Sequence, residues 1–159
     1  MRVPDPTAPA EDIDRVASAL VASLPALHRG LERKVARDFP HPRLPDGQLA
    51  LLFLVEEREG ITVRESAEAL VMKPNNVSAL VSQLTGLGLL ERRQDPADRR
   101  IAHLHPTPTA RERLTAARAL KEAHLARALH TLTEGQLDAL GAALGALASL
   151  NVRLHSPVG

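Results

Sequence analysis

The sequence predicts a mainly α-helical chain in which two short helices and a small β-hairpin lie between longer terminal helices. Three observations support this fold class. Apolar residues recur at three- and four-residue steps over most of the chain, which is the helical period. Capping signals and prolines divide that pattern into separate helices. Residues 89–104 instead contain two short runs of strand type around a turn.

The N-terminal part is predicted to be a leader followed by one long helix. Residues 1–10 have no apolar run typical of a signal peptide, so they are expected to be a disordered leader. Residues 11–45 are expected to form a dimerisation helix and a connector. Pro25 lies inside the helical pattern and should kink or break the helix near Ser23 and Leu24. Three prolines in residues 39–45 should end it.

The central part, residues 46–106, begins with three predicted helices. The first runs from about residue 46 to 57, with Leu49, Leu52 and Phe53 on its inner face. Thr62 and Glu65 have the spacing of a capping box, which starts the second. The third helix begins at Pro74, where a missing N–H costs nothing, and ends at Gly88. Its apolar stripe comprises Val77, Leu80, Val81, Leu84 and Leu87.

The predicted hairpin carries four arginines near a turn. Asp95-Pro96 favours turn initiation, and Asp98 can hold either its own backbone or an arginine in place. Helix, tight turn, helix and hairpin is the order of a winged helix-turn-helix, and a cationic wing suits a DNA backbone or minor groove. A merely solvated hairpin is the alternative. The candidate wing contacts are Arg92, Arg93, Asp98, Arg99 and Arg100.

The face opposite the apolar stripe is uncharged, whereas a solvated helix would normally carry Glu and Lys. Asn and Gln can pair with adenine, and Ser can bind base edges or phosphates. We therefore interpret this helix as a recognition helix, with a merely polar surface as the alternative. Its candidate DNA-binding residues are Lys73, Asn75, Asn76, Ser78, Ser82 and Gln83.

Residues 107–159 are predicted to form C-terminal dimerisation helices. Thr109 and Glu112 have capping-box spacing, and Thr133 with Gln136 should cap the last helix. Long amphipathic terminal helices with no partner domain need a cover, and a second copy is the economical one. The alternative is that they fold over their own winged helix.

From about Asp12 to Leu154 the chain resembles the MarR (multiple antibiotic resistance regulator) family. The resemblance is carried by three motifs: Leu84-x-x-x-Gly88-Leu89-Leu90-x-Arg92, Asp95-Pro96-Ala97-Asp98-Arg99-Arg100, and Thr107-Pro108 opening a long helix. It implies a homodimer whose recognition helices enter successive major grooves while the wings reach the minor groove. It also implies that Arg100 is the wing arginine and that the Asp98 carboxylate braces it. The chain departs from the family at Gln83 and Ala79, where arginines are frequent.

Composition narrows the remaining function classes. With 20 basic and 19 acidic residues, DNA binding has to come from local charge placement. The absence of cysteine excludes a disulfide, a thiolate-bound zinc and a cysteine redox sensor. No run approaches the roughly 18 apolar residues of a membrane span, so we expect a cytoplasmic protein.

No catalytic motif is recognisable, and we expect no enzyme activity, cofactor or metal. His103 and His105 alternate on one strand face and could ligate a metal, but no third ligand follows by spacing, and such histidines are more often solvent-facing. Phe39, His41 and Phe53 lie where the resemblance implies an effector cleft. With no Tyr or Trp in the chain, a stacked phenolic effector is not favoured.

The sequence therefore predicts a sequence-specific transcriptional regulator, a homodimeric repressor of a pseudo-palindromic operator that a small molecule relieves. The alternative is a winged-helix protein-interaction module that has lost operator binding. A hydrolase has no candidate nucleophile–base pair.

Overall fold

The structure, a computed structural model, describes residues 9–155. It confirms the predicted fold class, since one antiparallel hairpin lies among helices in the described part. In chain order the elements are α1 (Ala10–Asp38), α2 (Asp46–Glu57), α3 (Val63–Ala69), α4 (Pro74–Gly86), β1 (Leu90–Gln94), β2 (Ala102–Pro106), α5 (Pro108–Leu129) and α6 (Glu134–His155). The predicted leader falls almost entirely outside the described residues.

The described residues divide into two compact units. One is Glu32–Leu120, which contains α2, α3, α4 and the hairpin. The other combines the described residues up to Leu31 with those from Lys121 onward, and it contains α6. Both unit boundaries fall inside helices, in α1 and in α5. The division into residues 11–45, 46–106 and 107–159 therefore stays a sequence-based prediction.

Several local signals act as the sequence predicts. The Thr62 side chain accepts a bond from the Glu65 N–H, and the Glu65 carboxylate accepts one from the Thr62 N–H, so the capping box is complete. Thr133 and Gln136 exchange the same two bonds at the start of α6. Pro74 is the first residue of α4, and Gly88 has a φ of 69°. Each signal is local, which is why sequence alone reveals it.

Two local expectations need correction. Helix α1 is continuous through Pro25, so the expected break near Ser23 and Leu24 is not present, because a helix of 29 residues tolerates the loss of one backbone hydrogen bond. The cap of α5 is Thr107 and not Thr109, since the Thr107 Oγ1 accepts from the Ala110 N–H at 3.2 Å. That hydroxyl also donates to the Gly88 carbonyl at 2.6 Å, which ties α5 to the base of the hairpin.

The unit Glu32–Leu120 has a continuous apolar interior. All the helices from α2 to α5 and both strands contribute to it, and its members have almost no exposed surface. The α2 face that enters it differs from the expected one, because Leu51, Leu52 and Val55 are buried while Phe53 is 41% exposed. The predicted stripe of α4 is buried at Val77, Val81, and Leu84.

The hairpin pairs in a register that sets Arg92 opposite Leu104 and Leu90 opposite Pro106. The loop between α2 and α3 forms backbone hydrogen bonds with β2 of this hairpin. The Gly60 N–H donates to the Leu104 carbonyl, and the Leu104 N–H donates to the Ile61 carbonyl, each at 2.9 Å. The wing is thus anchored to the loop that leads into α3.

The turn between α3 and α4 contains a strained residue. Val71 has a φ of 53°, the left-handed region that β-branched residues rarely adopt. The Met72 N–H reaches back to the Ala67 carbonyl at 2.9 Å, and the Val71 N–H to the Glu68 carbonyl at 3.3 Å. This is a Schellman end of α3 that usually places glycine where Val71 stands.

The unit containing α6 has no comparable interior. No residue of α6 is buried, and its six leucines are between 38% and 75% exposed. By length and composition α6 is also the one helix of the described residues that could cross a membrane. Helices that pack in soluble assemblies can have the same length and composition.

Candidate nucleic-acid interface

The exposed face of α4 has the chemistry that the sequence predicts for it. Asn75, Asn76, Ser82 and Gln83 are exposed and Ser78 is half-buried, while the opposite side of the helix packs into the interior. Lys73, directly before the helix, is exposed as well. No charged side chain lies within α4 itself, so the face offers amide and hydroxyl groups only.

Two carboxylates give the wing turn its shape. The Asp95 Oδ1 accepts from the backbone N–H groups of Ala97 and Asp98, at 2.8 and 3.0 Å. The Asp98 Oδ1 accepts from the backbone N–H of Arg100 at 2.9 Å. The backbone closes the turn with a bond from the Asp95 N–H to the Ile101 carbonyl. The Asp98 carboxylate therefore binds the backbone N–H of Arg100. Among the described residues it makes no bond to the Arg100 guanidinium, which is the brace that the resemblance implies.

The four wing arginines differ in their surroundings. Arg99 and Arg100 are exposed at the tip and have no side-chain partner among residues 9–155. Arg93 pairs with the Glu91 carboxylate on its own strand. Arg92 reaches back to α4, where its guanidinium lies 3.4 Å from the Ser82 Oγ. Arg92 therefore belongs to the α4 surface and not to the wing tip.

His103 connects the wing turn to the loop before α3. Its Nδ1 lies 2.7 Å from the Gly60 carbonyl oxygen, and its Nε2 lies 3.0 Å from the Asp95 Oδ2. Both neighbours are acceptors, so only the protonated ring, which donates from both nitrogens, makes both bonds. The Asp95 carboxylate and then the Gly60 carbonyl raise the pKa of His103. The same contact with His103, together with the Asp98 and Ala97 N–H groups, lowers the pKa of Asp95.

His105 is also engaged, so the solvent-facing interpretation of the two histidines is wrong. The His105 Nδ1 lies 3.0 Å from one Glu59 oxygen, and the Arg111 guanidinium lies 2.8 Å from the other. Arg111 and then His105 lower the pKa of Glu59. The two histidines anchor the hairpin to neighbouring elements. Within residues 9–155 no three His, Asp or Glu side chains come together in a way that could hold a metal ion.

One contact at the edge of the α4 face, between Gln48 and Gln83, has no signal in the sequence. The Gln48 side chain, in the first turn of α2, donates from Nε2 to the Gln83 Oε1 at 3.0 Å. The two residues are 35 positions apart, and no local pattern indicates that they meet.

Two of the candidate effector residues are in direct contact. Phe39 and His41 follow α1 and meet edge to face, with ring centroids 5.2 Å apart. Phe53 lies on α2 with part of its ring exposed.

Comparisons with known proteins agree with this geometry. A sequence profile described as the MarR family matches residues 44–101. The HTH-type transcriptional repressor MdtR of Bacillus subtilis (strain 168) is 26% identical over 124 residues, which are 78% of this chain and 80% of that protein.

Solved structures extend the likeness to the terminal helices. A putative transcriptional regulator from Pseudomonas aeruginosa PA01 is 28% identical, with a TM-score of 0.76 over 90% of this chain and 98% of its own. Streptococcus pneumoniae FabT, solved in complex with DNA, is 17% identical, with a TM-score of 0.63 over 89% of this chain and 99% of its own. At that identity FabT shares the fold alone. MdtR is described as a transcriptional repressor and the Pseudomonas aeruginosa protein as a putative transcriptional regulator, and neither is described as an enzyme.

Proposed function

Because this chain is a MarR-family winged-helix protein, we propose that it binds operator DNA as a homodimeric transcriptional repressor. The single observation that carries the proposal is the contact between α4 and the hairpin, where Arg92 of β1 meets Ser82. Helix α4 presents an uncharged amide and hydroxyl face, and β1 leads into a turn whose tip arginines, Arg99 and Arg100, keep their charge unpaired within the described residues. The first surface suits base edges, and the second suits phosphates or a narrow minor groove.

A homodimer is proposed because no residue of α6 is buried by the rest of the described chain, residues 9–155. A leucine moved from water into an interface contributes about 1.5–3 kcal/mol, and each chain offers six on this helix. A two-fold dimer would place two recognition helices on half-sites about 10 base pairs apart, which predicts a pseudo-palindromic operator.

Repression, relief by a small molecule and a cytoplasmic location complete the proposal. MdtR is described as a repressor, and DNA is the partner that the α4 face and the wing fit. The Phe39–His41 contact and Phe53 are the proposed effector residues. An interaction module that has lost operator binding remains the competing function, because α4 offers no cationic side chain.

A selection from random duplex DNA, repeated at two salt concentrations, tests the proposal. Wild-type protein should enrich one pseudo-palindrome. Arg100→Ala should lower operator affinity and reduce the slope of log affinity against log salt by about one unit per lost contact. Arg29→Ala, which removes an exposed arginine from α1, is the matched control. Failure to enrich any sequence would favour the interaction module.

Asp98→Ala tests the wing turn separately. It should weaken operator binding although it removes a negative charge, because the carboxylate holds the Arg100 N–H and with it the shape of the tip. Asp14→Ala removes the same charge from α1 and is the control. Tighter binding by Asp98→Ala would mean that charge matters more than turn shape.

A further inference from the structure

The α4 face is bordered on each side by a contact from another element. Ser82 and Gln83 are consecutive, so their side chains leave the helix about 100° apart. On one side Arg92 of β1 approaches Ser82, and on the other Gln48 of α2 bonds to Gln83. The second contact is the shorter one, at 3.0 Å against 3.4 Å. This contact involves the Gln83 side-chain amide, in which the oxygen accepts hydrogen bonds and the NH2 group donates them.

The first turn of α2 lies directly against α4 at this point. A Cβ added to Gly47 would lie 3.5 Å from a methyl group of Leu80, one turn before Gln83. Gln48, next to Gly47, is half-buried. Its position is therefore set by packing between two helices of the same unit, and the reach of its amide to Gln83 is short and defined.

Stability does not explain a glutamine at position 48. The Gln48 Oε1 is enclosed and has no hydrogen-bond partner among the described residues. An enclosed, unsatisfied polar oxygen costs free energy, and an apolar side chain of similar length would avoid that cost. The hydrogen bond to Gln83 is the feature that only a polar residue at this position supplies.

We propose that Gln48 is a positioning residue that fixes which end of the Gln83 amide faces DNA. With the Gln83 Oε1 held by the Gln48 Nε2, the two N–H donors of Gln83 are presented to the major groove. Guanine offers two acceptors there, N7 and O6, whereas adenine offers one acceptor and one donor. The contact thus shifts the expected base from adenine to guanine. The inference rests on the proposed function and names the base that one residue of α4 selects.

The experiment uses the full chain and an operator selected by the wild type. Affinity is measured for four operators that differ in one base, at the position where the Gln83→Ala variant no longer discriminates between bases. The wild type should prefer guanine there by roughly tenfold, the range of one good base contact. Gln48→Met removes the donor and should flatten the preference. The midpoint temperature of its thermal unfolding should not fall below that of the wild type, because the enclosed Gln48 oxygen is removed. Gln48→Asn, one methylene shorter, should flatten the preference in the same way.

Gln48→Glu is the sharpest variant. A carboxylate at position 48 accepts from the Gln83 Nε2, turns the Gln83 Oε1 toward DNA, and should move the preference to cytosine, whose N4 amino group is a donor. Its added charge lowers affinity for all sequences alike, so the ratio between bases is the readout. In a Gln83→Ala background none of the Gln48 variants should alter the ratio.

The outcomes separate the inference from the proposed function. An unchanged guanine preference in Gln48→Met and Gln48→Asn would overturn the inference and leave operator binding standing. The inference is also overturned if Gln83→Ala loses discrimination at no position, or if Gln48→Glu shows the same flat preference as Gln48→Met. A wild type that selects no operator refutes the proposed function itself, and the inference falls with it.

Discussion

Leu84, Leu89 and Leu104 have no surface exposed to solvent, whereas Leu144 and Leu154 of α6 are 63% and 75% exposed. The first three lie in the unit Glu32–Leu120, where helices and strands enclose one another. The second two lie on a helix that buries none of its residues. Leucine is therefore buried in the interior of one unit and exposed on the surface of the other. One unit buries its own leucines, and the other exposes an apolar surface, which the proposed dimer would cover.

The strongest test of this contrast is a charge on α6. Leu144→Asp should abolish the dimer, because each two-fold interface would then contain two carboxylates among leucines. Sedimentation velocity at micromolar concentration should show a dimer for the wild type and no dimer for the variant. Asp138→Asn, a charge change on the same helix, is the control. A wild type that sediments as a folded monomer would contradict the contrast.

A core truncation should respond differently. Leu84→Ala is expected to lower the free energy of unfolding by about 2–5 kcal/mol, because it opens a cavity in an enclosed interior. Leu144→Ala should act through association, so it should raise the dimer dissociation constant, whereas Leu84→Ala should leave that constant near the wild-type value. Chemical denaturation measures the loss of stability in Leu84→Ala, and sedimentation at several protein concentrations measures the dissociation constant of both variants. Equal changes of the dissociation constant in the two variants would mean that both leucines belong to one interior.

A smaller effect is expected at the turn between α3 and α4. Val71→Gly should raise the free energy of unfolding by about 1 kcal/mol, because relief of the left-handed strain exceeds the entropy cost of glycine. Val71 is 92% exposed, so the change removes little packing. Val152→Gly, in the exposed α6, should be destabilising instead. A loss of stability in Val71→Gly would show that the turn carries no strain.

The smallest expected effect concerns pH. The raised pKa of His103 means that its contribution to folding is fully present below its ordinary value of 6.5 and is lost as pH rises through the folded-state pKa. The lowered pKa of Asp95 sets the opposite limit, since that contribution is lost as pH falls through the folded-state value, below its ordinary 3.8. The stability difference between wild type and His103→Gln should therefore shrink from pH 6 to pH 9. A stability difference that stays constant over this range would contradict a contribution of the protonated His103 ring to folding.

The sequence predicted those features whose cause is local. Helix α2 has the predicted bounds, and the capping boxes at Thr62 and Thr133 are present. Each of these depends on side chains within three or four residues of one another. Thr107 and Thr109 show the limit of such signals, because both fit a helix start and only the contact of Thr107 with Gly88 decides between them.

Features with distant causes could not be predicted. His103 and Gly60 are 43 positions apart, and Glu59 and His105 are 46 apart. Their pairing follows from how the loop before α3 lies against β2, which no spacing rule contains. The candidate DNA-binding residues lie on or next to α4 and in the hairpin, and their contact with DNA stays a prediction. Which atoms they offer depends on neighbours such as Gln48 that the pattern does not show.

The wing turn assigns shape and charge to different residues. Asp95 and Asp98 hold backbone N–H groups, while the side chains of Arg99 and Arg100 take no part in forming the turn. A substitution at either arginine should therefore leave the geometry of the tip in place and alter only its positive charge. If the wing binds DNA as proposed, its affinity can be changed in small steps during evolution or by design, since successive point changes need not pass through a misfolded intermediate.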